Sequence, residues 1–160
     1  MTIYTIGYEG LGIDEFISLL KAYDIETVVD IRELPLSRKP GFSKTALSNM
    51  LQLTGLEYIH IAALGCPKPV RDQYREDGNW QLYTKGFTKY LSTQTSAVES
   101  LSMLASTSSC ALLCYEADFN FCHRYMVADA VYKFSGMGVV HIHTSDTKTK
   151  HSADRLVALA

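Results

Sequence analysis

The sequence predicts an α/β protein: a single three-layer domain with a mostly parallel, about five-stranded sheet and helices on both faces. Three observations predict it. Short apolar or β-branched runs alternate along the chain with stretches of helical period. Those runs are nearly continuous in apolar residues, as parallel strands buried on both faces are. The unusual polar residues gather just after the runs, at the edge where open α/β sheets take their ligands.

Taken in order, Thr2–Ile6 reads as the first strand, stopped by Gly7, with Gly7–Gly10 a turn-rich loop. Ile13, Phe16, Ile17 and Leu20 then follow the i, i+3, i+4, i+7 spacing of an amphipathic helix. Asp14 and Glu15 suit the positive end of its dipole. Thr27–Ile31 is a β-branched strand with Asp30 near its carboxyl end. The loop after it, through Phe42, is stiffened by Pro35, Pro40 and Gly41. Ser43 is a candidate N-cap for a second helix with Ala46, Leu47, Met50 and Leu51 inside, and Gly55 a candidate C′ residue.

Glu57–Ile61 reads as the third strand and 62–73 as a loop, because Pro67 and Pro69 lack the amide hydrogen that a ladder or helix interior needs. Trp80, Tyr83, Phe87 and Tyr90 recur at helical spacing, as packing or as a base-stacking surface. Val98, Leu101 and Leu104 mark a further helical face. Ala111–Tyr115 is the fourth strand. Met126, Val127, Ala130, Val131 and Phe134 line the next helix, bracketed by Gly136 and Gly138, and Val139–Ile142 is the fifth strand. The expected order is β-α-β-α-β-α-β-α-β, with one domain over 1–143 and a polar tail over 144–160.

With 160 residues and 47% hydrophobic content, the chain can bury a core without staples. A net charge of −2 argues against a general DNA-coating protein. It leaves room for a local basic patch, Arg32, Arg38, Lys39 and Lys44 being opposed only by Glu33; such a run also occurs as a plain solvated face. The first residues lack the pattern of a signal peptide, and no apolar run approaches the about 20 residues of a membrane span. A cytoplasmic location with four reduced cysteines is therefore expected. Cys66, Cys110, Cys114 and Cys122 include no Cys-x-x-Cys pair, so no metal site is assigned, although Cys114, Cys122 and His123 are a conceivable ligand set.

The chemistry concentrates between Cys110 and Arg124. Cys122-His123-Arg124 opens a helix, where free amides and the helix dipole favour an anion. Arg124 adds a planar fork of donors, Cys122 at that position would carry more thiolate, and His123 could move protons near neutral pH. Against this, Cys122 could be a small buried hydrophobe and Arg124 the partner of Glu116 or Asp118. Glu116 and Asp30, each ending a strand, could be general bases or could orient Arg124 and Arg32. Thiol-phosphatase chemistry in its usual form is excluded: Cys114 stands too far before Arg124, and Cys122 too near, to close one phosphate loop. Gly7-Tyr-Glu-Gly-Leu-Gly12 is neither G-x-G-x-x-G nor a Walker loop.

Thr5-Ile-Gly-Tyr8, Asp30-Ile-Arg32 with Pro35 and Ser37-Arg38, Gly41-Phe42-Ser43, Tyr58-Ile-His60, Leu64-Gly65, and Leu113-Cys-Tyr-Glu116 with Cys122-His-Arg124 occur in succession. Together they resemble the family called "domain of unknown function 488" over about 2–141. The family pattern carries a second glycine after Leu64-Gly65, where this chain has Cys66. The resemblance implies an α/β fold with the motif residues in one cleft, and it implies no reaction.

The expectation is a polar, anion-binding cleft at the carboxyl ends of the strands. Glu116, Cys122, His123 and Asp30 are the candidate catalytic residues. Arg32, Ser37, Arg38, Arg124, Tyr8 and His60 are the candidate ligand-binding residues. The partner would be a small anionic ligand or nucleic acid, not a membrane; no cofactor or oligomeric state is implied. An enzyme acting on a phosphate- or carboxylate-bearing substrate, such as a nucleotide or nucleic acid, fits these residues. The alternative is a non-catalytic nucleic-acid-binding module, with Tyr8, Phe42, Trp80 or Tyr83 stacking bases, or a partner-binding module.

Overall fold

The computed structural model describes residues 1–144; the polar tail expected over 144–160 lies, from 145 onward, outside the described residues. Five strands, β1 (Thr2–Gly7), β2 (Thr27–Asp30), β3 (Glu57–His60), β4 (Cys110–Cys114) and β5 (Gly138–Ile142), form one all-parallel sheet in the order β3-β2-β4-β1-β5. The register sets Gly7 beside Cys114, and Asp30 beside both Leu113 and His60. The carboxyl ends of the inner strands therefore meet at one rim.

Alternate residues of each strand feed opposite cores. Ile6, Val28, Ala111 and Leu113 pack against α1 (Ile13–Ala22) and α2 (Lys44–Leu53). Ile3, Val29 and Leu112 pack on the other face against α4 (Trp80–Leu91), α5 (Thr95–Thr107) and α6 (His123–Ser135). β4 is the pivot. Its neighbours β1 and β2 send their chain to helices on one face, whereas β4 feeds α6 on the other. Such a switch point opens a crevice above the strand ends.

The crossover from β3 to β4 departs from expectation. It holds a 3₁₀ turn (Ala62–Leu64) and a further helix, α3 (Lys68–Asp77), where the two prolines suggested an uninterrupted loop. Pro67 is the N-cap of α3 and Pro69 lies in its first turn, where amide hydrogens have no intrahelical partner to lose. α3 ends on Gly78 in the left-handed conformation. Ser43 does precede α2, but its hydroxyl does not cap the helix. It donates to the carbonyl of Ser37 and accepts from the Ser37 amide, pinning the Arg32–Phe42 loop back on itself.

Candidate functional site

The crevice is a cleft of about 630 Å³ built by three walls. The loop after β2 contributes Arg32 to Arg38, α3 and the start of α4 contribute Lys68 to Tyr83, and the segment from Cys114 to His123 closes the third side. The volume falls within the range of small-molecule sites, about 300–1,000 Å³.

The β2 wall is held by an ion pair. Asp30, fully buried, accepts from Arg32 at Nε (2.9 Å) and NH2 (2.7 Å), from the Arg32 amide (3.1 Å), and from the Tyr58 hydroxyl (2.5 Å). Arg32 also donates to the carbonyl of Phe42 (2.7 Å) and to the Tyr8 hydroxyl (3.3 Å). Burial, and then the bond to Asp30, raise the Tyr58 pKa, so it stays protonated. Asp30 was expected either as a base at the cleft or as the group that orients Arg32. It lies outside the cleft lining, with both oxygens saturated, and its geometry is that of an anchor for Arg32.

Arg124 was expected either as an anion binder or as the partner of Glu116 or Asp118, and it bonds the backbone of Glu116. It is fully buried and is not among the cleft-lining residues. Its Nε donates to Thr5 Oγ1 (3.1 Å), NH2 to the carbonyl of Ala117 (3.2 Å), and NH1 to the carbonyl of Glu116 and toward Cys114 Sγ (3.4 Å). Burial lowers its pKa to about 10, which still leaves it charged at neutral pH. The charge is spent holding the β4–α6 loop shut over the end of β1. Gly7 makes the close approach possible, since a Cβ there would run into the Glu116 carbonyl and the Arg124 guanidinium. His60 also lies off the cleft: its Nε2 donates to the carbonyl of Arg32 (2.8 Å) and its Nδ1 faces Lys44 Nζ (3.4 Å).

Tyr8, Arg32, Ser37, Arg38, Glu116 and His123 do line the cleft. His123 is buried and donates from Nε2 to the carbonyl of Ile31 (2.7 Å), which places its lone pair on Nδ1, 3.9 Å from Cys122 Sγ. Burial lowers its pKa to about 4, so it is neutral near pH 7. Burial raises the Glu116 pKa, its own backbone amide and Arg124 opposing the shift. Its Oε2 lies 3.7 Å from Cys114 Sγ.

Cys122 is the N-cap of α6, and its sulfur accepts from the Arg124 amide (3.5 Å). The 3₁₀ turn Phe119–Phe121 carries it back beneath the end of β4, where it forms a disulfide with Cys114. Only Cys66 and Cys110 are free, against the expectation of four reduced thiols. In this state the Cys122 sulfur is bonded and is no nucleophile. Burial pushes the Cys66 thiol, on the cleft wall, up to about 11.

The wall built by α3 and the start of α4 holds what sequence reasoning missed. α3 presents Lys68, Arg71, Asp72, Tyr74 and Arg75 to the cleft. Lys68 pairs with Asp72 (2.5 Å) and Arg71 with Glu33 (3.1 Å) across the opening. The Arg71 Nε is buried without a hydrogen-bond partner, and Arg38 makes no ion pair or hydrogen bond among the described residues. Trp80 stacks on Tyr83 (4.6 Å between centroids) and meets Tyr74 and Phe121 at an angle. Tyr8 and Phe42, considered as base-stacking rings, are buried and stacked on each other (4.4 Å). The +4 spacing of Arg71 and Arg75 was a usable signal, hidden by reading 62–73 as a loop.

The family described as "Domain of unknown function DUF488" matches residues 12–131. No curated protein and no solved structure matches the chain. No helix among the described residues is long and apolar enough to cross a membrane.

Proposed function

The chain belongs to the DUF488 family, and we propose that its cleft binds a phosphate-bearing ligand with a planar ring, a nucleotide or a nucleic-acid end, and acts on it with Glu116 as the acid/base. The observation that carries this reading is the surplus of unpaired donors at the cleft. Arg38 on one wall has no partner among the described residues, and Arg71 Nε on the facing wall is a buried donor left unsatisfied. Such a donor costs about 1–3 kcal/mol unless something accepts from it. An anion bridging Arg38 and Arg71 would accept from both, and guanidinium forks match phosphate oxygens.

Trp80, partly exposed beside Phe121, supports a ring on the ligand, since a face of an aromatic can take a base. Glu116 supports a reaction. Its raised pKa brings proton exchange nearer neutrality, and it sits on the cleft wall opposite the cations. Non-catalytic binding to an extended strand is less well supported, because Tyr8 and Phe42 are packed together in the interior. The reducing cytoplasm, rich in such phosphates, is the compartment this reading expects.

The test is calorimetric titration with pyrophosphate and a nucleoside monophosphate at low salt. Binding should weaken about tenfold in Arg38→Ala and in Arg71→Ala, and should weaken with added salt. Absence of binding by the unmodified chain at low salt overturns the reading. Unchanged affinity in both variants would do so as well.

A further inference from the structure

We propose that in the reduced chain Cys114, Cys122 and His123 form a binding site for a borderline-soft divalent cation of the zinc type. The inference goes beyond the anion reading and does not depend on it. The two sulfurs and the imidazole nitrogen lie within 4.8 Å of one another, and all three residues are buried. They come from rigid places: Cys114 ends β4, Cys122 caps α6, and His123 is the first residue of α6. Ligands held on strand ends and helix starts keep their geometry better than ligands on loops.

The imidazole is already oriented for the task. Its Nε2–H is committed to the Ile31 carbonyl at 2.7 Å, so the bare lone pair is on Nδ1, the atom facing Cys122 Sγ. A carbonyl that takes the outer N–H is how proteins fix the tautomer of a ligating histidine. Two donors address the sulfurs. The Arg124 amide lies 3.5 Å from Cys122 Sγ, and Arg124 NH1 lies 3.4 Å from Cys114 Sγ. Both offset the negative charge that two thiolates bring. A donor set of two sulfurs and one nitrogen suits zinc and excludes magnesium and calcium, which take oxygen. Cys114 and His123 both line the cleft, so the fourth coordination position opens toward it, beside Glu116. Zinc sites with three protein ligands and one open position are the reactive kind.

In the disulfide form neither sulfur can ligate. A dithiol reductant supplies two electrons and two protons, the Sγ–Sγ bond breaks, two thiols form, and the reductant becomes a disulfide. The cation then replaces the two thiol protons, which pass to solvent. Disulfide and metal are thus alternative states of one cysteine pair.

The test uses the full chain, reduced with a phosphine that is then removed, and titrated with Co²⁺ as a spectroscopic stand-in followed by Zn²⁺. Thiolate-to-cobalt charge-transfer bands should appear and saturate at about one ion per chain, and zinc should bleach them. Cys66→Ser and Cys110→Ser should keep the bands. Cys114→Ser and Cys122→Ser should each weaken zinc binding at least about 100-fold, and His123→Gln about 10-fold or more. Should those variants fail to fold, bound zinc in the unsubstituted chain must still protect Cys114 and Cys122 from alkylation, read by mass spectrometry. The proposal is overturned if the reduced chain shows no thiolate-to-cobalt band. It is equally overturned if the oxidised chain binds zinc as tightly, or if zinc leaves Cys114 and Cys122 open to alkylation.

Discussion

His123 donates a hydrogen bond from Nε2 to the carbonyl oxygen of Ile31 at 2.7 Å, across 92 residues of chain. This bond ties the first turn of α6 to the chain leaving β2. It brings the Cys-His-Arg segment and the Asp30–Phe42 loop to one rim. It also fixes which imidazole nitrogen is protonated.

Removing that donor should be felt in stability. His123→Ala leaves the Ile31 carbonyl without its partner in a buried place, a loss of about 1–3 kcal/mol. In a chain of this length that lowers the midpoint of thermal unfolding by roughly 2–4 °C per kcal/mol. His123→Gln, whose amide can donate, should recover part of it. Equal melting temperatures for alanine and glutamine variants would show that the bond contributes nothing.

Arg124→Met should destabilise more, by at least about 3 kcal/mol, because the carbonyls of Glu116 and Ala117 and the hydroxyl of Thr5 lose a charged donor together. Urea denaturation measures it. Phosphate affinity, measured where the variant is still folded, should be unchanged, since Arg124 is not among the residues lining the cleft. Loss of affinity with intact stability would return Arg124 to the ligand.

Gly7→Ala should compromise the fold without touching the cleft cations. The added methyl meets the Glu116 backbone, which cannot move without breaking the Arg124 bonds. Gly10→Ala is the comparison: there a Cβ meets no atom within 4 Å, and only the positive φ of 83° is against it. Gly7→Ala should be the more damaging by soluble yield and melting temperature.

Acid sensitivity should trace in part to His141. Its Nδ1 lies 2.7 Å from Thr5 Oγ1, the hydroxyl oxygen that also accepts from Arg124 Nε. Burial, then the charges of Arg124 and His143, lower its pKa from 6.5 to about 4. The unfolded chain therefore binds this proton more readily than the folded one. The contribution is complete above about pH 6.5 and is lost as pH falls toward 4. Stability measured at pH 7.5 and pH 5 should drop less in His141→Gln than in the unsubstituted protein. An equal drop removes His141 as a source.

Periodicity and composition carried the sheet, because each strand of a parallel sheet is buried on both faces and must be apolar throughout. Val28 and Val29 serve opposite cores, yet both are fully buried, and the run declares itself without any knowledge of its neighbours. α3 was hidden for an equally local reason. The prolines at 67 and 69 read as breakers, and only the placement of the helix start makes them harmless.

The amino-acid order by itself determined the alternation of strands and helices, the rim at which the polar motifs meet, and the family. It could not say which of two identical charges faces solvent. Arg38 and Arg124 are chemically the same, but one stands without a partner at an open cleft and the other is enclosed by three backbone or hydroxyl oxygens. That division, and the meeting of Cys114 with Cys122 and His123, arises from strand register and from the turn before α6. Those long-range placements are set by packing two cores at once, which no local pattern of residues encodes.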